Sequence, residues 1–154
     1  MTEHDFKNFP ELANSQMDEF YWESPHRQIF EDFHARVARV IDGDTISASW
    51  AERDFLFPVR FINNAAPELK ETGGKESQEW LEEQLLNEEV TIMIDKKNRV
   101  EKWGRLLGKI MINGIDIGEQ SIVMGFSVPW ANRNDGKIID FEKMMLKEDK
   151  RLKW

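Results

Sequence analysis

Apolar positions change their period along this chain. In "ARVARVID" (35–42) apolar and polar residues alternate, and Val37, Val40 and Ile41 are β-branched, which predicts a strand. Asp42-Gly43 is a hairpin signal, and "DTISASW" (44–50) is the return strand. "AERD" turns the chain, and "FLFPVRFI" (55–62) predicts a third strand. Pro58 within it points to an edge or a bulge, because proline has no N–H to give a ladder. After the loop "NNAAPELKETGG" the period lengthens. "KESQEWLEEQLLN" (75–87) sets Trp80, Leu81 and Leu85 on one face and charges on the other, an amphipathic helix. "EVTIMID" (89–95) reads as a fourth strand, "KKNRVEKWG" as a turn, and "RLLGKIMI" (105–112) as a fifth strand closed by Asn113-Gly114. "IDIGEQSIVMG" (115–125) predicts a short helix with Ile117, Ser121, Ile122 and Met124 inward, stopped at Gly125. "IIDFEKMMLKEDKRLKW" (138–154) predicts a terminal helix with Ile138, Phe141, Met145 and Leu152 on one stripe.

Three strands, a helix, two strands and further helices suit a β-barrel plus helices (α+β). The expected form is a five-stranded barrel of oligonucleotide/oligosaccharide-binding type with about three helices. Closure would leave no strand edges exposed.

Residues 1–34 lack this regularity. They hold all three histidines and seven of the seventeen aromatics, with Pro10 and Pro25 breaking any period. Residues 1–35 carry eight acids against Lys7 and Arg27, so most of the net charge of −8 lies there. An acidic aromatic arm of this kind is expected to pack on its own domain or on a protein partner. The division expected is an N-terminal extension over 1–34 and a barrel domain over 35–154.

The remaining chain is nearly neutral, which argues against a general polyanion binder. The local exception is Lys96, Lys97, Arg99, Lys102, Arg105 and Lys109, read either as a solvated turn or as a basic patch. With no cysteine there is no disulfide, thiol nucleophile or Cys-ligated zinc. No apolar stretch approaches the roughly 20 residues that span a bilayer. The polar, acidic start "MTEHDFKNFPELANSQ" is unlike a secretory signal. The expectation is a cytoplasmic or particle-associated protein without a membrane partner.

The barrel region has no histidine, so its chemistry is confined to Arg, Asp, Glu and a hard cation. Cleaving a phosphodiester needs fixed cations for the phosphate oxygens and a carboxylate to orient or deprotonate water. Arginine suits the first task because its planar fork grips two oxygens.

"VARVIDGDTI", "VRFINNAAPE", "EKWGRLLGKIMINGIDI" and "VMGFSVPW" stand in order over roughly residues 35–130. Together they resemble staphylococcal nuclease (thermonuclease) and its homologues. The resemblance implies a five-stranded barrel with three helices and a calcium-dependent nuclease acting on DNA or RNA. It places Arg60 and Arg105 as phosphate-gripping residues, Glu68 as the carboxylate acting on water, and Asp44 as a metal ligand. Ala66 would offer calcium its backbone carbonyl, and Asp42 is a weaker metal candidate, more naturally a turn-former. Lys102 and Trp130 are candidates for substrate binding. One position departs: where the family has an aspartate two residues before the proline, this chain has Ala65. Losing that carboxylate should weaken calcium binding by orders of magnitude.

Three functions follow. The first is a nuclease on single-stranded nucleic acid or nucleotides, with impaired or altered metal dependence. The alternative is a structural or interaction component of a larger assembly, such as a virus particle, with a protein partner docking through residues 1–34. A third, weaker reading is a non-cleaving single-strand binder stacking bases on Trp103 and Trp130.

Overall fold

The structure, a computed structural model, describes residues 4–102 and 104–133. The helix expected over 138–154 and the proposed stacking residue Trp103 lie outside the described residues. Among the described residues no helix is long and apolar enough to cross a membrane.

Five strands close into a mixed barrel. These are β1 (Phe33–Asp42), β2 (Thr45–Ser49), β3 (Phe57–Phe61), β5 (Glu89–Met93) and β6 (Leu106–Ile112). The antiparallel order β3-β2-β1-β5-β6 is sealed by a parallel pairing of β3 with β6, in which Val59 faces Leu106 and Arg60 faces Leu107. Three short strands complete the sheets: β4 (Asn64–Ala65), β7 (Ile115–Asp116) and β8 (Val128–Pro129). β4 pairs with β8 outside the barrel. The described α-helices are α1 (Met17–Phe20) in the arm, α2 (Gly74–Leu85) and α3 (Ile117–Val123).

Alternation explains the strands. β1 buries Phe33, Ala35 and Val37 and exposes His34 and Arg36 between them. Pro58 sits at a local edge of β3, as proline in a strand predicts. β3 pairs with β2 over Phe57–Arg60 but with β6 only from Val59 onward, so the missing N–H falls outside the parallel ladder. The β1–β2 turn is Gly43-Asp44, one residue later than Asp42-Gly43, because Asp42 pairs with Thr45. A Cβ on Gly43 would lie 1.9 Å from Ser77 Oγ, so glycine is required there for the approach of α2. Asn113 and Gly114 both have positive φ (50° and 78°), the mirror-image turn expected of that pair.

α2 lays Trp80, Leu81 and Leu85 on the barrel as its apolar face predicts. Each such burial is worth roughly 1.5–3 kcal/mol. Trp80 also stacks on Phe126 at 5.1 Å between ring centres. α3 buries Ile117 and Ser121, is capped by Asp116, and is followed by Gly125 at φ 86°.

The arm packs on its own barrel. Glu11 is buried and paired with two buried arginines, Arg53 and Arg99. Arg99 donates to Leu12 O (2.9 Å), Ile29 O (2.7 Å) and Asn14 Oδ1 (3.1 Å). The Gln28 side chain closes the arm on itself, accepting from Leu12 N and donating to Pro10 O. The Arg53 guanidinium lies over Trp50, Phe55 and Phe57. A buried charge needs such pairing, because leaving it alone costs several kcal/mol.

This divides the basic run of residues 96–109. Lys96, Lys97 and Lys109 are solvated, Arg99 is a buried anchor for the arm, and Lys102 and Arg105 turn toward a cleft.

Candidate active site

Barrel closure assembles the site. The parallel β3–β6 pairing brings the end of β3, with Arg60, beside the start of β6, which Arg105 precedes. The β2–β3 ladder sets Thr45 opposite Arg60. The β4–β8 pairing, continued by Trp130 N donating to Asn63 O (2.8 Å), brings Trp130 to the same rim. The loop leaving β4 supplies Glu68.

A cleft of about 530 Å³ results, and Arg60, Glu68, Lys102, Arg105, Trp130 and Arg133 all line it. Five of these six are residues singled out from the sequence. Asp42, Asp44 and Ala66 are not on its surface. Asp44 instead lies behind the arginines. Its Oδ2 is 3.5 Å from Arg60 Nη2 and accepts from the Ala66 amide at 2.9 Å. Its Oδ1 accepts from Thr45 Oγ1 at 2.9 Å, and Thr45 Oγ1 in turn accepts from Arg105 Nη1 at 3.4 Å. Asp44 and Thr45 therefore tie the two guanidiniums to one scaffold.

Arg60 is only 6% exposed. Burial pulls its pKa below the usual arginine value, Asp44 pulls it back, and the neighbouring Arg105 charge adds to the lowering. An arginine stays charged through such shifts. Arg105 is gripped in a fork by Glu101, with Nε–Oε1 at 2.8 Å and Nη2–Oε2 at 3.1 Å. That hydrogen bonding raises its pKa above the ordinary value.

The Trp130 indole lies under two guanidiniums, those of Arg60 and Arg133, each 4.2 Å from its ring centre. Arg133, absent from the sequence-based candidates, is fixed by donating to Trp130 O at 2.9 Å. Nothing in the sequence marks it, because a short 3-10 turn, Trp130–Asn132, is what folds it back. Thr45 was equally illegible as a link. Glu101 was no more legible as the partner of Arg105, because a four-residue spacing brings side chains together on a helix and this stretch is a turn.

Asp42 acts as a turn-former, with Oδ1 accepting the Asp44 amide at 3.1 Å. Burial, then the Asp44 charge, push its pKa up to about 7.

The donor set does not fit the calcium ion that the resemblance implies. Among the described residues no three His, Cys, Asp or Glu side chains come together in a way that could hold a metal. Asp44 is committed to Ala66, Thr45 and Arg60, and Asp42 tends to keep a proton near neutral pH. Ala65, buried in β4, adds no oxygen beyond its backbone carbonyl. Calcium takes six to eight oxygens and is held by charge.

The sequence model of the family described as staphylococcal nuclease homologue matches residues 58–151. The chain is a staphylococcal nuclease homologue. Relatives include proteins described as an "uncharacterized endonuclease" from Escherichia coli O157:H7 and from Escherichia coli. Each is 26% identical over 124 residues, covering 80% of this chain and 78% of the relative. An uncharacterized protein of Bacillus anthracis is 29% identical over 104 residues, 64% of this chain and 48% of that protein. The family match begins inside β3 and includes Arg60, Glu68 and Arg105 of this homologue. Asp42, Asp44 and the arm precede it.

Proposed function

We propose that this homologue is a nuclease-type phosphodiesterase whose dependence on calcium is weakened. The observation that carries the reading is the convergence of Arg60, Arg105 and Glu68 on one open cleft. A phosphate lodged there meets two guanidiniums held by one Asp44–Thr45 scaffold. Both stabilise the negative charge that grows on the equatorial oxygens. Glu68 takes a proton from water as the water oxygen bonds to phosphorus, and the opposite P–O bond breaks. The departing oxygen takes a proton from solvent water, and Glu68 returns its own to solvent. No step is assigned to a metal. The substrate class is single-stranded DNA, RNA or a nucleotide, whose phosphate is accessible at a cleft rim.

Support also comes from charge. Four cations, Arg60, Lys102, Arg105 and Arg133, line the cleft against Glu68 and Glu101, so the site attracts anions on a chain of negative net charge.

The test is hydrolysis of single-stranded DNA and RNA, with and without added calcium, by the full chain. Cleavage should fall about 10²–10³-fold in Arg60→Ala or Arg105→Ala. No cleavage, or cleavage indifferent to Arg60→Ala, removes the reading.

A second reading, an interaction component of an assembly, is favoured by one feature of the arm. Trp22 is 90% exposed and packs edge-on against Tyr21, which also meets Phe30. Trp22→Ser leaves the buried anchors in place, so it should change the sedimentation behaviour of the chain if this cluster is an interface. Unchanged sedimentation counts against that reading.

A further inference from the structure

The arm and the β5–β6 turn enclose a second cleft of about 440 Å³, lined by Phe9, Gln16, Val100, Glu101, Lys102 and Gly104 among others. Val100, Glu101 and Lys102 also line the phosphate cleft, so the two openings share a wall. We propose that this arm cleft is a subsite for a nucleobase, stacked on Phe9: the base of the next nucleotide along the strand from the one whose 5′-phosphate Arg60 and Arg105 hold. The inference rests on the nuclease reading and extends it to the arm.

Three observations carry it. Phe9 is 42% exposed, yet its position is specified. Its amide donates to Asp5 O at 2.9 Å and its carbonyl is bonded to His4 Nε2 at 2.8 Å. Its ring covers Gly104, where a Cβ would come within 2.5 Å of Phe9 Cδ1. An exposed aromatic held one residue from the phosphate-gripping Arg105 is a stacking platform.

The second observation is charge. The arm is acidic, but the carboxylates at this cleft are answered: Glu11 by Arg53 and Arg99, Glu101 by Arg105. Lys102 stands on the shared wall, where a strand passing from one cleft to the other carries a phosphate.

The third is Trp130. With two guanidiniums over its indole, it already has cationic partners, so an aromatic face for a base is better sought elsewhere on the rim. Phe9 supplies one, and the buried Glu11 anchors hold the arm against the turn that bears Glu101 and Arg105.

The experiment uses the full chain carrying Glu68→Gln, so that ligands persist. Binding of 5′-phosphorylated thymidine mononucleotide is compared with that of the 5′-phosphorylated trinucleotide, and with trinucleotides carrying one abasic position. The trinucleotide should bind about tenfold tighter, the worth of one stacked base. Phe9→Ala should remove that gain and leave the mononucleotide unchanged, and Phe9→Trp should keep it. One abasic position should cost about tenfold with Phe9 present and nothing in Phe9→Ala. Phe9→Leu, which still covers Gly104, should lose the gain with an unchanged melting temperature, separating stacking from folding. Equal binding of the two ligands, or a gain that survives both Phe9→Ala and Phe9→Leu, overturns the subsite. Mononucleotide binding that Arg60→Ala does not weaken overturns the nuclease reading itself, and the subsite with it.

Discussion

The Arg60 guanidinium lies 4.2 Å from the centre of the Trp130 ring. The two residues are seventy positions apart, Arg60 on β3 of the barrel and Trp130 in the 3-10 turn that follows β8. Arg60 is also paired with Asp44 at 3.5 Å, so its fork is fixed by an aromatic ring and a carboxylate. A buried guanidinium fixed in this way needs little reorganisation when a phosphate arrives, which is the condition for electrostatic stabilisation at low cost.

The ring is therefore expected to matter for catalysis more than for folding. Trp130→Ala should lower phosphodiester cleavage about tenfold, in line with roughly 1–2 kcal/mol for a partly desolvated cation–π contact. Because Trp130 is surface-exposed, its thermal melting temperature should stay within a few degrees of the parent. Comparing kcat/KM with the melting curve checks this, and a variant that loses stability but not rate would contradict it.

The arm anchor makes the opposite prediction. Glu11→Ala leaves the buried guanidiniums of Arg53 and Arg99 facing each other without their shared carboxylate. Removing one partner of a buried charge pair costs about 3–5 kcal/mol. Denaturant titration should show a loss of that order, whereas a surface acid such as Glu79 replaced by Ala should change stability by less than about 0.5 kcal/mol.

Asp42 introduces a pH dependence. With its pKa raised to about 7, the folded chain holds a proton that the unfolded chain releases near pH 4. The associated stability is complete below about pH 4 and is lost as pH rises through about 7. Asp42→Asn keeps an oxygen for the Asp44 amide and cannot ionise. It should be more stable than the parent at pH 8, by on the order of 2 kcal/mol after solvent screening, and the gap should shrink toward pH 4. Melting curves across that range measure it, and a gap that widens on acidification would contradict the sign.

The resemblance to the nuclease family implies an aspartate at the position of Ala65, and the effect of one there can be measured. Ala65→Asp places a carboxylate two residues before Pro67, on the strand adjoining Ala66, whose amide meets Asp44. Millimolar calcium should then raise the melting temperature of the variant by several degrees and leave that of the parent nearly unchanged, as expected when a ligand binds only the folded state. Equal responses of the two proteins to calcium would contradict the argument.

Much of this molecule was legible in its residues. Alternation in β1 and the helical spacing of Trp80, Leu81 and Leu85 fix which faces turn inward, since a side chain two or four positions along has one geometry available. Asn113-Gly114 turns as its conformational preferences require. The candidate trio Arg60, Glu68 and Arg105 could be picked out because guanidinium forks and a carboxylate are the residue types that phosphodiester chemistry needs, and all three line one cleft. The short strands β4, β7 and β8 were not legible, as two residues carry no period. The fate of Arg99 was hidden too: a basic residue in a charged turn looks solvated until a distant Glu11 covers it.

What residue order determines here is local: strand and helix periods, turn types, and the presence of the charged groups. Only the closed barrel decides that Arg60 and Arg105 share one cleft, that Asp44 braces them from behind, that Arg133 joins Arg60 over Trp130, and that an acidic arm becomes part of the wall. Those relationships depend on the parallel β3–β6 pairing and on one buried carboxylate between two arginines, contacts over forty or more positions that no local pattern encodes.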